Sequence, residues 1–354
     1  MTALKSKATS PFAAIWVATF LLFAVSPFVV SSSLGHSALQ GMLPFAGILA
    51  IVAIGQTLVI QQGGIDLSVP GIFSLGAILT VIIPGGHDDM LIPALLLVAA
   101  VGLAGGLING IAVTRFGITS LVATLGSNAI FIGVVLQVTG GSVGYKATKN
   151  WQDFTVAKIF GIPILAVIAL IATVLVALFI ARTVWGRRFI LVGSSPPASR
   201  AAGIIAERYQ LAAYAAAGVS YALAGALLAG YLQATPLLPG NEYLLPAFAA
   251  VVLGGTALGG GRGSVVATAG GVLFLSQLEQ VVSALGAKPS FDFLIQGTII
   301  ALGMGLRNVP WNQILPGRRS DAAAAADATS HTTASGTGRA LVSEPKEEDS
   351  IDVS

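Results

Sequence analysis

The residues of this sequence whose types and spacing bear on chemistry are few, and most of them sit where apolar runs break. Gln61, Gln62, Gly63, Gly64, Ile65, Asp66, Leu67 and Ser68 stand between two apolar stretches with no room for a surface loop. Paired glycines admit backbone conformations that a helix does not hold, and Asp66 and Ser68 are cap residues for a following helix with Pro70 in its first turn. One reading is a tight turn with a helix cap. The other is a gate or pathway element, because a carboxylate beside a broken helix in an apolar chain marks such places. A second break, Gly254 to Ser264, repeats two glycines with a leucine three positions on, which hints at an internal repeat. It lacks the GxxxxGK[ST] spacing of a nucleotide-phosphate loop, so it reads as close backbone packing at a cytosolic helix turn, with Arg262 at the headgroups or at a partner.

Polar residues inside apolar runs are Gln56, Asn109, Thr124, Ser127, Asn128, Gln277, Glu279 and Gln280. Glu279 carries a formal charge well inside such a run, toward its outer end. Residues of this kind either hydrogen-bond helix to helix or line the path of a polar solute. The candidate path or gate set is therefore Gly63, Gly64, Asp66, Asn109, Thr124, Ser127, Asn128, Gly254, Gly255 and Glu279. Bond-making chemistry has no visible centre. His36, His87 and His331 are scattered, no HExxH arrangement occurs, and the chain has no Cys. Neither an enzyme activity nor a metal or cofactor held by this chain is expected.

Composition dictates the medium in which these residues work. Hydrophobic residues make up 55% of the 354 and charged residues only 9%, with a mean hydropathy of +0.86. Soluble chains carry about 25% charged residues, so an all-α, polytopic membrane bundle is expected. The 43 Gly fit the close helix approach that membranes favour. The net charge of +3 is no nucleic-acid signal, because its basic excess lies in short loops between spans.

Ten spans are expected: Pro11 to Leu34, Met42 to Ile60, Val69 to Ile83, Met90 to Thr114, Ile118 to Val138, Ile162 to Ala181, Tyr209 to Leu232, Tyr243 to Leu258, Val265 to Leu285 and Phe293 to Leu306. The first reads as a span rather than a cleaved signal, since its apolar run is long and lacks a convincing small-residue cleavage site. The third, eighth and tenth fall short of the roughly 20 residues of a straight span and are expected as half-helices or embedded segments. Alternate counting from a cytosolic amino terminus places Lys5, Lys7, Arg115, Arg182, Arg187, Arg188, Arg200, Arg208, Arg262 and Arg307 inside and only Lys146, Lys149, Lys158 and Lys288 outside. Both termini are therefore expected in the cytosol. Residues 1–316 form the transmembrane domain on this reading. Residues 317–354, rich in Ala, Ser, Thr and acids without periodicity, form a disordered cytosolic tail.

The basic loop from Arg182 to Arg208 reads at its middle as a short helix. Ser194 or Ser195 caps it, Pro196 or Pro197 occupies its first turn, and Gly203 stops it. Ala198, Ala201, Ala202 and Ile205 recur at helical spacing to leave a small apolar face beside Arg200. Such a helix is either a docking element or part of a loop that only sets orientation.

The segments GQTLVIQQGGIDLSVPGIFSLGA (55–77), SLVATLGSNAIFIGVVLQVTGG (120–141), the basic loop, and AFAAVVLGGTALGGGRGSVVATAGG (247–271) together resemble the ribose/xylose/arabinose-type permeases of bacterial ABC importers. The likeness runs from about Gly41 to Leu306, and its GGIDLS sets it apart from the related branched-chain amino acid permeases. It implies a multi-pass protein of the cell inner membrane that imports a monosaccharide or related polyol. It implies a second permease copy, identical or a close paralogue, within the membrane lipid. It also implies a periplasmic sugar-binding protein and a separate sugar-type ATP-binding subunit that holds ATP and Mg. The coupling residues toward that subunit would be Ser195, Pro196, Ala198, Arg200, Ala201, Ala202 and Gly203. SSPPASRAAGI departs from the family's usual Gly-Asn opening, which bears on which ATPase the helix accepts. The competing reading is a secondary transporter coupled to H⁺ or Na⁺ through Glu279 or Asp66.

Overall fold

The computed structural model describes residues 11–308, apart from 143, 145, 234 and 289. The expected tail and the ends of both termini lie outside the described residues. One compact unit extends to Gly305, and the chain from Leu306 enters the description only as the last residues of the final helix.

The elements in order are α1 (Pro11–Val29), α2 (His36–Gln61), α3 (Val69–Ile82), a 3₁₀ turn (Asp88–Met90), α4 (Leu91–Thr114), α5 (Ser120–Thr139), α6 (Lys149–Val156), a two-stranded hairpin β1 (Lys158–Ile159) and β2 (Ile162–Pro163), α7 (Ile164–Arg182), α8 (Val184–Ser194), α9 (Pro196–Ala201), α10 (Ala206–Leu232), α11 (Asn241–Leu253), α12 (Val265–Ala284) and α13 (Ser290–Asn308). Among the described residues α1, α2, α4, α5, α7, α10 and α12 are long and apolar enough to cross a membrane. The fold is thus a polytopic helical bundle, as expected. At 14 and 13 residues, α3 and α11 span only about 20 Å each, against a hydrocarbon core of about 30 Å. They are the short segments the apolar runs imply. The tenth span corrects the expectation: α13 reaches 19 residues because its helix continues past both ends of the apolar run.

α2 and α10 form the centre, while α1, α5 and α7 leave most of their side chains at least partly exposed. Lipid tails are as apolar as Leu, so helices here gain little from burial as such and must gain from tight contact. The sequence of α10 is rich in Ala and Gly for that reason. A Cβ placed on Gly218 would stand 2.8 Å from the Gly106 nitrogen of α4, and one on Gly102 would stand 2.7 Å from the Ala222 Cβ. Buried polar pairs add direction to this packing. Tyr221 Oη donates to Gln56 Oε1 (2.8 Å), Thr57 and Thr268 share a hydroxyl bond (2.9 Å), and Trp151 Nε1 of α6 donates to Ala226 O (2.9 Å).

The short helices belong to a repeat different from the one expected. The glycines at 63–64 and 254–255 do not correspond, because the first pair follows a long helix and the second follows a half-helix. What corresponds is α2 of 26 residues followed by α3, and α10 of 27 residues followed by α11. On the orientation the Lys/Arg distribution gives, the two pairs run in opposite senses. The second turn of α3 meets the start of α11: Gly240 N–H donates to Ser74 Oγ (3.1 Å), and the Phe73 and Tyr243 rings stack at 4.6 Å.

Gly218→Leu should lower the stability of the detergent-solubilised chain by about 3 kcal/mol, since it wedges α4 from α10. Gly126→Leu, whose Cβ meets nothing within 4 Å, should leave it unchanged. Thermal unfolding followed by fluorescence separates the two, and equal melting would show that the α4–α10 approach does not hold the bundle.

Candidate functional site

α2 ends at Gln61, and Gly63 turns the chain with φ +78°. The peptide then runs extended to Ser68 at membrane depth, where each of its amides needs a partner. α5 supplies two of them and a third for the first turn of α3. Ile65 N–H donates to Ser120 Oγ (3.1 Å), Leu67 N–H to Thr124 Oγ1 (2.9 Å) and Gly71 N–H to Asn128 Oδ1 (2.8 Å). The match is one of pitch. Positions four apart on a helix rise about 6 Å, and two residues of extended chain rise about 6.6 Å, so residues 65 and 67 meet 120 and 124 in register.

Asp66 is fully buried. Its Oδ1 accepts from Ser68 N–H (2.9 Å) and Ser68 Oγ (2.6 Å), and Asn109 Nδ2 of α4 donates to Ser68 Oγ (2.8 Å). The carboxylate thus shapes the turn into α3, while Ser68 occupies the N-cap position without a cap bond of its own. Of the expected path or gate residues, Gly63, Gly64, Asp66, Asn109, Thr124 and Asn128 come together around this segment. Ser127 is buried nearby, but its hydroxyl donates to the Thr124 carbonyl of its own helix (3.0 Å). Gly254 and Gly255 belong to the turn between α11 and α12, and Glu279 lies apart near the outer end of α12. Sequence reasoning did not single out Ser120 or Tyr214, whose hydroxyl crowds Gly64. The signal for Ser120 was its spacing of four and eight from Thr124 and Asn128.

At the cytosolic end of α2 three backbone turns touch. Gly261 N–H donates to Gln61 O (2.8 Å), and Gln62 Nε2 donates to Phe189 O of α8 (2.8 Å). A Cβ on Gly260 would stand 2.5 Å from Gly193 O and 3.0 Å from Gly63 N. Gly260 also holds φ +86°, so glycine is required there twice over. The second glycine break is therefore a packing element against the first.

α8 leads from α7 into this junction and was not foreseen as a helix. Trp185, Phe189 and Val192 fall on one helical face between Arg187 and Arg188, a pattern obscured by the density of charge. Trp185 packs its ring against Phe189 and Tyr209. Thr183 caps α8 by accepting from Gly186 N–H (2.9 Å). α9 follows directly. Ser195 caps it by accepting from Ala198 N–H (3.3 Å), both prolines lie in its first turn, and Gly203 with φ +76° ends it. Ser199 faces inward, whereas Pro197, Ala198, Arg200, Ala201, Ala202 and Gly203 are exposed. The Arg200–Glu207 bridge (3.1 Å) is solvent-exposed and contributes little to holding the helix.

Comparison with known proteins places this architecture. A family model described as branched-chain amino acid transport system / permease component matches residues 38–303. The ribose import permease protein RbsC of Bacillus subtilis is 33% identical over 297 residues, covering 83% of this chain and 90% of that protein. The autoinducer 2 import system permease protein LsrD of Yersinia pseudotuberculosis is 34% identical over 260 residues, covering 72% of this chain and 78% of that protein. LsrD of Yersinia pestis aligns to the same extent. No solved structure matches. The apolar helices and these relatives make it a multi-pass protein of the cell inner membrane. The matched span takes in α2, the unwound segment, the glycine junction and α9, and the protein belongs to the family of membrane permease components of import systems that this model describes.

Proposed function

We propose that this chain is the membrane-spanning permease subunit of an ATP-driven ABC importer that moves a monosaccharide or related polyol into the cell. The observation that carries the reading is α9, a six-residue helix fixed by Ser195 and Gly203 that offers small residues and Arg200 to the cytosol. Its size and exposed face suit a cleft on a separate ATP-binding subunit, where ATP and Mg would reside. The printed names of the relatives, import permeases for ribose and autoinducer 2, support a small hydroxylated solute. A periplasmic sugar-binding protein would deliver that solute, and a second permease copy would complete the membrane part.

The geometry supplies a route for force. Motion of α9 enters the last turn of α8, where Gly193 abuts Gly260 and Gly261. That junction also holds Gln61, the residue at which α2 ends and the extended segment begins. A displacement there tilts the segment along its α5 partners, and breaking one of those bonds leaves an amide that nothing else on the segment satisfies. In this reading the chain does no bond chemistry. It converts the ATPase's closure into the opening of a polar path, which must hold its solute weakly enough to release it.

Co-purification of the tagged chain with ATP-binding subunits encoded near it tests the docking helix. The wild type should retain an ATPase, and Ala201→Asp should reduce retention at least about tenfold by burying an unpaired charge at the contact. If the wild type retains none, the importer reading fails and ion-coupled transport takes its place. Gly260→Ala should leave the ATPase bound and lower sugar uptake about tenfold, whereas Gly259→Ala, with nothing within 4 Å of its Cβ, should transport normally. Normal uptake by Gly260→Ala would remove the junction from the mechanism.

A further inference from the structure

A cavity of about 430 Å³ lies between the turn after α1, the first turns of α2 and the last turns of α12. On the orientation argued above it faces the outer side of the membrane. Its volume falls within the range of small-molecule sites, about 300–1,000 Å³. The lining combines hydroxyls of Ser32, Ser37 and Ser283 with the Glu279 carboxylate, the Gln280 amide and the ring of Phe45. Phe45 is held edge-on by Tyr231 at 5.4 Å.

This wall is built rather than incidental. Gln277 Nε2 donates to Ser26 Oγ (2.9 Å), Ser33 Oγ joins the same oxygen (3.2 Å), and Gln280 Nε2 donates to Ser33 O (3.0 Å). Two of these bonds tie α12 to the end of α1 and the turn after it, the third braces that turn, and together they fix the Gln280 amide at the cavity. Among the described residues its buried Oε1 accepts no hydrogen bond, an acceptor in want of a donor. Hydroxyls that donate and accept, a carboxylate and an amide that accept, and one aromatic face together match a ring that carries hydroxyls on its edge and C–H groups on its face. Among the described residues no Lys or Arg lines the cavity, and Glu279 repels anions.

We propose that this cavity binds a neutral polyhydroxylated solute of monosaccharide size on the outer side of the permease, an inference that rests on the importer reading for its place in transport. It gives Glu279 a role that its distance from the unwound segment left open. A free sugar and the sugar headgroup of a glycolipid present the same chemistry, and the choice of lipid separates them.

The test uses the full chain in phosphatidylcholine nanodiscs, which contain no glycolipid. Saturation-transfer NMR would be recorded with D-ribose, D-xylose, D-glucose and myo-inositol, and with ribose 5-phosphate as the anionic probe. At least one neutral probe should give a saturable signal, and the phosphate should give none. Gly41→Leu is the informative variant. Gly41 lines the cavity and a Cβ there meets nothing within 4 Å, so the leucine fills the space without disturbing α2, and the signal should fall at least about tenfold. Gln280→Leu should lower it likewise, with melting of both variants recorded as the check on folding. If the neutral probes give no signal on folded wild-type chain, if Gly41→Leu keeps the full signal, or if ribose 5-phosphate binds equally, the proposal is wrong. A signal that appears only after glycolipid is added, and is lost in Gly41→Leu, overturns the free-sugar assignment in favour of the headgroup. ATPase retention is read on the same preparations. Its loss with the sugar signal intact sinks the importer reading alone, and its presence without a sugar signal sinks this site alone.

Discussion

The arrangement of this protein depends on three hydrogen bonds by which α5 holds an unwound peptide and the first turn of α3 inside the membrane. An amide left without a partner in hydrocarbon costs several kcal/mol, so Ile65, Leu67 and Gly71 could not lie where they do without Ser120, Thr124 and Asn128. Once the segment is held, α3 can start partway into the bilayer rather than at its surface. α11 then meets it there, and the long helices α2 and α10 are left as the two faces of one core. The hydroxyl and amide side chains of α5 are the support on which the irregular backbone rests.

Close contact between small residues carries the rest. Gly218 against Gly106 and Gly102 against Ala222 let α10 approach α4 backbone to backbone, and Gly260 against Gly193 lets three turns share one point at the cytosolic face. In both places the gain is dispersion and satisfied backbone rather than area removed from water. The two places differ in what they permit. The α4–α10 contact runs along the helix axes and resists sliding, whereas the glycine junction is a point contact between the last turn of α8 and two glycine turns.

Much of this was legible in the sequence. All ten expected spans coincide with helices, seven of them to within three residues at each end, and Ser195, the two prolines and Gly203 foretold α9 because capping chemistry is local. The break at Gly63 and Gly64 was legible for the same reason. What escaped depended on partners far along the chain. Thr124 and Asn128 read equally well as path residues, since nothing local says that an acceptor on α5 meets an amide near residue 65. The correspondence of α2–α3 with α10–α11 was hidden because it is a match of helix lengths, while the similar glycines at 63–64 and 254–255 drew attention to a register the fold does not use. α8 was obscured because its arginines masked an aromatic face.

The sequence distances of these contacts also set an order of assembly. Ser120 lies 55 residues after the amide it receives, whereas Gly240 lies 166 residues after the Ser74 hydroxyl it meets. At a synthesis rate of about 5–20 residues per second, α5 emerges several seconds before α11. During that interval α3, too short to span alone, sits in the membrane without its counterpart. The α5 hydroxyls are therefore more than a feature of the finished structure. They let the nascent chain keep an interrupted helix in lipid while it waits for the second half of the protein to be made.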